Sequence, residues 1–117
     1  CLCHIDANVD NFLFFEDGSV KLLDWEYAGM CDPVMDVSMC AIYSYYNEED
    51  MERLFRLYLQ REPSEDELFA LYANAALGGF LWCLWAVYKS ILGDEFGEYT
   101  IIMYRYAKKY YRKLRKL

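Results

Sequence analysis

The chain has 117 residues and a formal net charge of −7, and 56% of its residues are hydrophobic and 19% aromatic. This aromatic content excludes a disordered segment, and the length allows one domain rather than a two-lobed enzyme. Seven positive charges and no acid follow residue 104, so the acidic body before it favours a cationic substrate or a divalent metal over nucleic acid.

Cysteine usage indicates the compartment. The five cysteines are odd in number and irregularly spaced, unlike the disulfide framework of a secreted protein, so we expect a cytoplasmic protein. Cys1, Cys3 and His4 lie close enough in sequence to suggest a soft-metal site. No matching ligand pair recurs downstream, so a buried strand or a loop lead-in is favoured over a metal site.

Residues 4–11 match H-x-D-x-x-x-x-N, the spacing of a kinase catalytic loop. In that chemistry one carboxylate meets the attacking hydroxyl, and metal ligands face the phosphates. Asp6 would accept or orient the hydroxyl proton, and Asn11 would bind the metal. We expect His4 to brace the loop structurally rather than to act in acid–base chemistry.

A β-hairpin is predicted next, over 12–24. Apolar runs at 12–16 and 20–24 flank a turn that contains Asp17 and Gly18, which is a strong hairpin signal. Asp24 stands at the end of the second strand, thirteen residues after Asn11, where kinases place their second metal-binding carboxylate. Together Asn11 and Asp24 would hold Mg²⁺, which prefers oxygen ligands.

Four helices are predicted after the hairpin. Pro33 begins the first, which runs to about Tyr46, and Asn47 caps the second, which runs to Gln60. The last two begin at the Ser64–Glu67 capping box and near Glu98. Gly93 is expected to end the third helix, and the fourth is expected to reach about Lys116. The residues expected on the inward face of the fourth helix are Ile101, Tyr104 and either Ala107 or Lys108.

The third predicted helix includes 21 uncharged residues, 68–88, which is long enough to span a bilayer. Asn74, Gly78 and Gly79 dilute its hydrophobicity. We therefore expect no membrane span but a helix buried in a helical lobe, with the glycine pair allowing close helix packing. The basic last helix is expected to be a solvated, amphipathic helix rather than a nucleic-acid or membrane contact.

The sequence also resembles the choline/ethanolamine kinase family, and more narrowly its bacterial branch related to aminoglycoside phosphotransferases. The segments that carry the resemblance are Leu2–Leu13, Leu23–Met30, Asp32–Asp36, Gly78–Trp85 and Glu95–Tyr99. The resemblance therefore covers essentially the whole chain. It implies a mainly α (α+β) fold: the C-lobe of a two-lobed kinase, with a catalytic loop, one β-hairpin and about four helices, of which 33–117 would bind substrate.

The resemblance also implies residue roles. Asp6 matches the catalytic base, Asn11, Asp24 and Glu26 match the metal site, and Asp36 matches an acid that braces the catalytic loop. Trp82, Trp85 and Phe96 match aromatic residues that help enclose a quaternary ammonium group, for which cation–π attraction substitutes for hydrogen bonding. From the residues alone, without the resemblance, two tryptophans at helical spacing favour core packing over a binding pocket. Tyr43 stands where animal choline kinases have a glutamate, and a late pocket tyrosine has no match near Ile101.

The function implied is phosphorylation of choline or a related amino-alcohol from ATP with Mg²⁺. Ethanolamine, thiamine or an aminoglycoside are alternative acceptors, and a non-catalytic, truncated helical interaction module is a third alternative. No glycine-rich phosphate loop or nucleotide-binding lysine is found in the chain. We therefore expect a C-terminal fragment, whose ATP contacts lie in an absent N-lobe and which is inactive in isolation. A homodimer is left open.

Overall fold

The computed structural model describes residues 1–116. Within them the chain forms two compact units, Cys1–Pro63 and a second that begins at Ser64. The first unit contains all four strands and two helices, and the second contains the two longest helices. The first two helices therefore group with the loop and hairpin rather than with the last two helices.

Two small antiparallel strand pairs form the β structure. The predicted hairpin is confirmed, with β2 (Phe12–Phe14) paired to β3 (Val20–Leu22). Its turn places Gly18 at φ +82°, a conformation that glycine adopts at no steric cost. A second pair joins β1 (Leu2–Cys3) to β4 (Gly29–Met30). A strand near Cys3 was one of two expectations, but β4 and the pairing were not predicted, because a two-residue strand leaves no periodicity to detect. The pair brackets the predicted catalytic loop and the hairpin.

Helix α1 (Val34–Tyr43) ends three residues earlier than predicted. The peptide N–H of Tyr46 donates to the carbonyl of Ala41, and that of Tyr45 to the carbonyl of Ile42, while Tyr45 takes a left-handed φ of +56°. This is a Schellman termination, which usually has glycine at the left-handed position. A tyrosine gives no such signal in the sequence, so the early end was missed.

Helix α2 (Glu48–Leu59) follows after four residues and packs against α1. The Asn47 side chain accepts a hydrogen bond from the Asp50 peptide N–H, which confirms the predicted cap. Met51 and Phe55 are fully buried. They lie four residues apart and therefore on one helical face, which anchors α2 in the first unit.

Helix α3 (Glu65–Ile91) begins with the predicted capping box, in which Ser64 and Glu67 exchange side-chain to backbone hydrogen bonds. Gly93 follows its end at φ +101°. Among residues 1–116, α3 is the one helix long and apolar enough to cross a membrane by length and composition. Core helices of soluble proteins pass the same test, and α4 (Tyr99–Leu114) packs along α3.

The predicted inward face of α4 was wrong for Ile101 and Tyr104, whereas Ala107 does lie against α3. Ile101 and Tyr104 are 54% and 51% exposed, whereas Met103 and Tyr110 are fully buried. Tyr110 stacks on Tyr72 of α3 with ring centroids 5.5 Å apart. Apolar residues occur on more than one side of α4, so periodicity did not fix which side meets α3.

The predicted role of the glycine pair is confirmed for Gly79. A Cβ atom there would lie 2.8 Å from the Met103 carbonyl oxygen and 2.9 Å from the Ala107 nitrogen, both backbone atoms of α4. Only glycine allows α3 and α4 to approach this closely.

Gly79→Ala is expected to lower the free energy of unfolding by about 2 kcal/mol, because the two helix backbones must move apart to admit the methyl group. Helix propensity alone predicts the opposite sign, since alanine in a helix interior is favoured over glycine by about 1 kcal/mol. Urea denaturation followed by circular dichroism measures the change. A gain in stability would show that the close approach is not constrained.

Candidate active site

The predicted catalytic loop is fastened to α1 through its backbone. The Asp36 carboxylate accepts hydrogen bonds from the peptide N–H groups of His4, at 2.9 Å, and Ile5, at 2.7 Å. Ile5 has φ +69°, which is rare for a β-branched residue and costs on the order of 1–3 kcal/mol. Two charge-assisted hydrogen bonds offset that strain. Asp36 thus makes the contacts that a loop-bracing role requires.

Asp6 follows the strained residue, and both of its carboxylate oxygens have hydrogen-bond donors nearby. The Tyr43 hydroxyl donates to Oδ1 at 2.7 Å, and the Asn11 side-chain nitrogen lies 3.4 Å from Oδ2. The backbone carbonyl of Asp6 also accepts from the peptide N–H of Asn8, at 2.7 Å. The carboxylate is partly buried but reachable, as a group that must meet a substrate hydroxyl should be.

The orientation of the Asn11 amide follows from its neighbours. Its nitrogen donates to the Asp6 backbone carbonyl at 3.0 Å and lies near the Asp6 carboxylate. Both neighbours are acceptors, so the NH₂ group faces Asp6. The amide oxygen therefore points away from Asp6, where it can face a cation.

His4 connects the loop to the end of the hairpin. Its Nε2 lies 2.6 Å from the carbonyl oxygen of Leu23, and because a carbonyl only accepts, Nε2 carries the proton. The ring also meets Trp25 edge to face, with centroids 4.9 Å apart. His4 is almost completely buried. This placement fits the predicted structural role rather than proton transfer to a substrate.

Asp24 is brought next to Asn11 by the hairpin. The peptide N–H of Leu23 donates to the carbonyl of Asn11 at 2.8 Å. Asp24 follows immediately, with a left-handed φ of +61° and an exposed side chain. Glu26 is also exposed, two residues after Asp24.

The predicted magnesium ligands fit a site completed by substrate. In the part of the chain that the structure describes, no group of three or more His, Cys, Asp or Glu side chains is arranged to hold a metal ion. Mg²⁺ commonly takes only one or two protein carboxylates, with phosphates and water as its other ligands. An amide oxygen of Asn11 and an exposed carboxylate of Asp24 are suitable donors of that kind.

The cysteines near the loop form a separate contact. The Cys3 thiol lies 3.7 Å from that of Cys1 and donates to the carbonyl of Cys31 at 3.6 Å. Burial, with a contribution from the contact to Cys31, raises the pKa of the Cys3 thiol to about 11. A thiol that stays protonated at neutral pH is a poor nucleophile.

In the second unit, the three predicted substrate-binding aromatics lie together. The Trp82 and Trp85 rings meet edge to face at 5.4 Å, and Phe96 meets Trp85 edge to face at 5.1 Å. The Lys89 ammonium lies 5.9 Å from the Trp85 ring centroid and pairs with Asp94 at 3.0 Å. One cation, already paired with a carboxylate, therefore lies over the Trp85 ring.

The sequence pattern of the phosphotransferase enzyme family (APH) matches residues 1–69, which include every residue of the loop, the hairpin and α1. The chain belongs to the phosphotransferase enzyme family. The strained loop, the Asn11–Asp24 neighbourhood and the α1 contacts all lie within the matched part.

Three further matches narrow the relationship within the family. Protein LicA of Haemophilus influenzae is 27% identical over 105 residues, covering 85% of this chain and 39% of that protein. The crystal structure of choline kinase LicA from Streptococcus pneumoniae matches with a TM-score of 0.77 and 31% identity, over 96% of this chain. A structure of LicA in complex with AMP matches with a TM-score of 0.78 and 30% identity, over 97% of this chain.

These matches confirm the predicted kinase-like, mainly helical C-lobe fold and the resemblance to the bacterial branch. The chain spans about two fifths of each relative: 39% of the Haemophilus protein and 40% of the Streptococcus chain. The predicted roles of the individual site residues remain predictions.

Sequence reasoning missed one residue at the site, Tyr43. It was noted only as a departure from the glutamate of animal relatives, yet its hydroxyl is the shortest contact to the Asp6 carboxylate. A signal was present: Asp36 and Tyr43 are seven residues apart, and two helical turns place them on one face of α1.

Proposed function

We propose that the full-length protein containing this chain transfers the γ-phosphoryl group of ATP to the hydroxyl of choline or a related amino-alcohol. The observation that carries the proposal is the arrangement of the loop, with the Asp6 carboxylate held by Tyr43 and the Asn11 amide oxygen turned outward. Likeness to choline kinase LicA over nearly the whole chain supports the acceptor. Likeness to an AMP complex supports the nucleotide.

In this mechanism Asp6 accepts the hydrogen bond of the acceptor hydroxyl and orients it for in-line attack on the γ-phosphorus. Asn11 and Asp24 would hold Mg²⁺, which when bound neutralises charge on the phosphates. His4 and Asp36 keep the loop rigid. Most of the catalytic effect in such a reaction comes from positioning and electrostatics, which a strained loop fastened at both ends supplies.

The acceptor's ammonium group is assigned to the cluster of Trp82, Trp85 and Phe96. A trimethylammonium group cannot donate a hydrogen bond, so aromatic faces and nearby carboxylates must recognise it. The Lys89 ammonium lies 5.9 Å from the Trp85 ring centroid while paired with Asp94, which supports this aromatic face as one that a cation can approach. Because ATP is the phosphoryl donor, we also propose that the protein works in the cytoplasm.

The proposal is tested by assaying the full-length protein with ATP, Mg²⁺ and a panel of acceptors: choline, ethanolamine, thiamine and an aminoglycoside. We expect the highest kcat/KM with choline or a close amino-alcohol. A preference for thiamine or an aminoglycoside would support phosphoryl transfer as the reaction but reject choline as the acceptor. No transfer to any acceptor would favour a non-catalytic role.

Trp85→Ala is expected to raise the KM for choline by roughly tenfold, since a cation–π face contributes about 0.5–2 kcal/mol and the apolar contact is lost as well. The KM for ATP should not change. Phe69→Ala is a matched control, because Phe69 is an exposed aromatic residue on the same helix. If both substitutions change the KM for choline equally, or if Trp85→Ala leaves it unchanged, Trp85 packs the core and does not bind the acceptor.

A further inference from the structure

Helix α1 contacts the loop at two points on one of its faces. Near its beginning, the Asp36 carboxylate binds the backbone of His4 and Ile5. Two turns later, its last residue, Tyr43, donates to the side chain of Asp6. One point of contact therefore holds the loop backbone, and the other reaches the carboxylate itself.

We propose that Tyr43 is a positioning residue that fixes the rotation of the Asp6 carboxylate and leaves Oδ2 as the oxygen presented to the acceptor hydroxyl. The inference rests on the proposed function, because it concerns the same reaction. The 2.7 Å distance from the Tyr43 hydroxyl to Oδ1 is that of a strong hydrogen bond to a carboxylate. At Oδ2 the neighbouring donor, the Asn11 amide, is 3.4 Å away.

The hydroxyl is needed because the last torsion of an aspartate side chain is soft. Rotation of a carboxylate about its Cβ–Cγ bond is broad and has no sharp staggered minima. The long contact from Asn11 restrains it weakly, so Tyr43 supplies the main restraint. A carboxylate that rotates freely spends less time aligned with the acceptor hydroxyl, and such misalignment lowers the rate of the transfer step.

The end of α1 gives Tyr43 a fixed position. The Schellman termination, with Tyr45 left-handed, turns the chain away directly after Tyr43. The tyrosine is thus held on a regular helix whose buried residues include Met39 and Ile42. A donor on a rigid element is placed more accurately than one on a loop.

Tyr43→Phe in the full-length protein removes only the hydroxyl. We expect kcat to fall by about ten- to a hundredfold, while the KM values for ATP and acceptor change by less than about threefold. Tyr45→Phe is the matched control, because it makes the same chemical change two residues away on a side chain that is 54% exposed. An unchanged kcat in Tyr43→Phe, or an equal loss in Tyr45→Phe, would overturn the inference.

A second variant isolates the donor. Replacing Tyr43 with para-aminophenylalanine keeps the ring and an N–H donor at the same place, so kcat should stay within about fivefold of the native value. If Tyr43→Phe does not fold, this variant decides alone: retained turnover supports the inference, and a loss as large as that expected for Tyr43→Phe rejects it.

Crystal structures of the native protein and of Tyr43→Phe test the positioning without any assay. We expect the Asp6 carboxylate to turn or to occupy several orientations in the variant, while Asp36 still binds His4 and Ile5. If the Asp6 carboxylate of Tyr43→Phe keeps its native orientation, the inference is overturned, whether or not the variant has lost turnover. A native protein that transfers phosphate to no acceptor rejects the proposed function instead, and the two structures still decide whether Tyr43 orients Asp6.

Discussion

Replacing Asp6 with Asn in the full-length protein is expected to lower kcat by about a hundred- to ten-thousandfold, the range that a positioned general base contributes. Asparagine has nearly the shape of aspartate, and its side-chain oxygen can still accept the Tyr43 hydrogen bond. The negative charge that polarises the acceptor hydroxyl is lost. We therefore expect the KM for ATP and the melting temperature to change little.

Asp10→Asn is the matched control for this prediction. Asp10 lies on the same loop, carries the same charge and is exposed, so its substitution should leave kcat within about twofold of the native value. Steady-state kinetics and circular dichroism on the two variants measure the effect. Comparable turnover in Asp6→Asn and the native protein would reject Asp6 as the base.

Asp36→Ala is expected to lower the free energy of unfolding by about 3 kcal/mol and kcat by more than about tenfold, because it removes two hydrogen bonds to a charged group. Those bonds hold Ile5 at φ +69°. Without them the loop can relax to an ordinary backbone conformation, and Asp6, the next residue, moves with it. Urea denaturation and steady-state kinetics together measure the two consequences.

Two comparisons make the Asp36 prediction specific. Asp36→Asn keeps one acceptor oxygen, so its loss of stability should be about half that of Asp36→Ala. Glu49→Ala removes an exposed acid from α2 and should change stability by no more than about 0.5 kcal/mol. If Asp36→Ala is as stable and as active as the native protein, the loop holds its conformation by other contacts.

Much of the local structure could be predicted from the sequence, because turns and helix caps depend on residues that are close together in the chain. Asp17 and Gly18 predicted the hairpin, Asn47 the cap of α2, and Ser64 with Glu67 the capping box of α3, and all are present. The hairpin turn and the two helix caps each join residues within four positions of one another. The residue types alone therefore determine the contact.

The sequence was less informative where apolar residues occur on several sides of a helix. It was also less informative where a residue other than glycine adopts the left-handed conformation that ends a helix. The inward face of α4 was assigned to Ile101, Tyr104 and either Ala107 or Lys108. Its fully buried residues are instead Met103 and Tyr110. The end of α1 was placed at Tyr46, although Tyr45 adopts the left-handed conformation and terminates the helix at Tyr43. In both cases packing and backbone hydrogen bonds selected among conformations that the sequence left nearly equal.

By itself, the sequence determined which residues of the candidate site have the right chemistry: an H-x-D-x-x-x-x-N loop, a carboxylate at the end of a hairpin, and an acid at the start of the next helix. Only the tertiary structure decided how they are held. It placed Asp36 against the backbone of a strained loop and Tyr43 against Asp6, residues 31 or more positions apart in the chain. Such contacts form only when α1 packs on the loop, and spacing within one element does not specify how it packs on another.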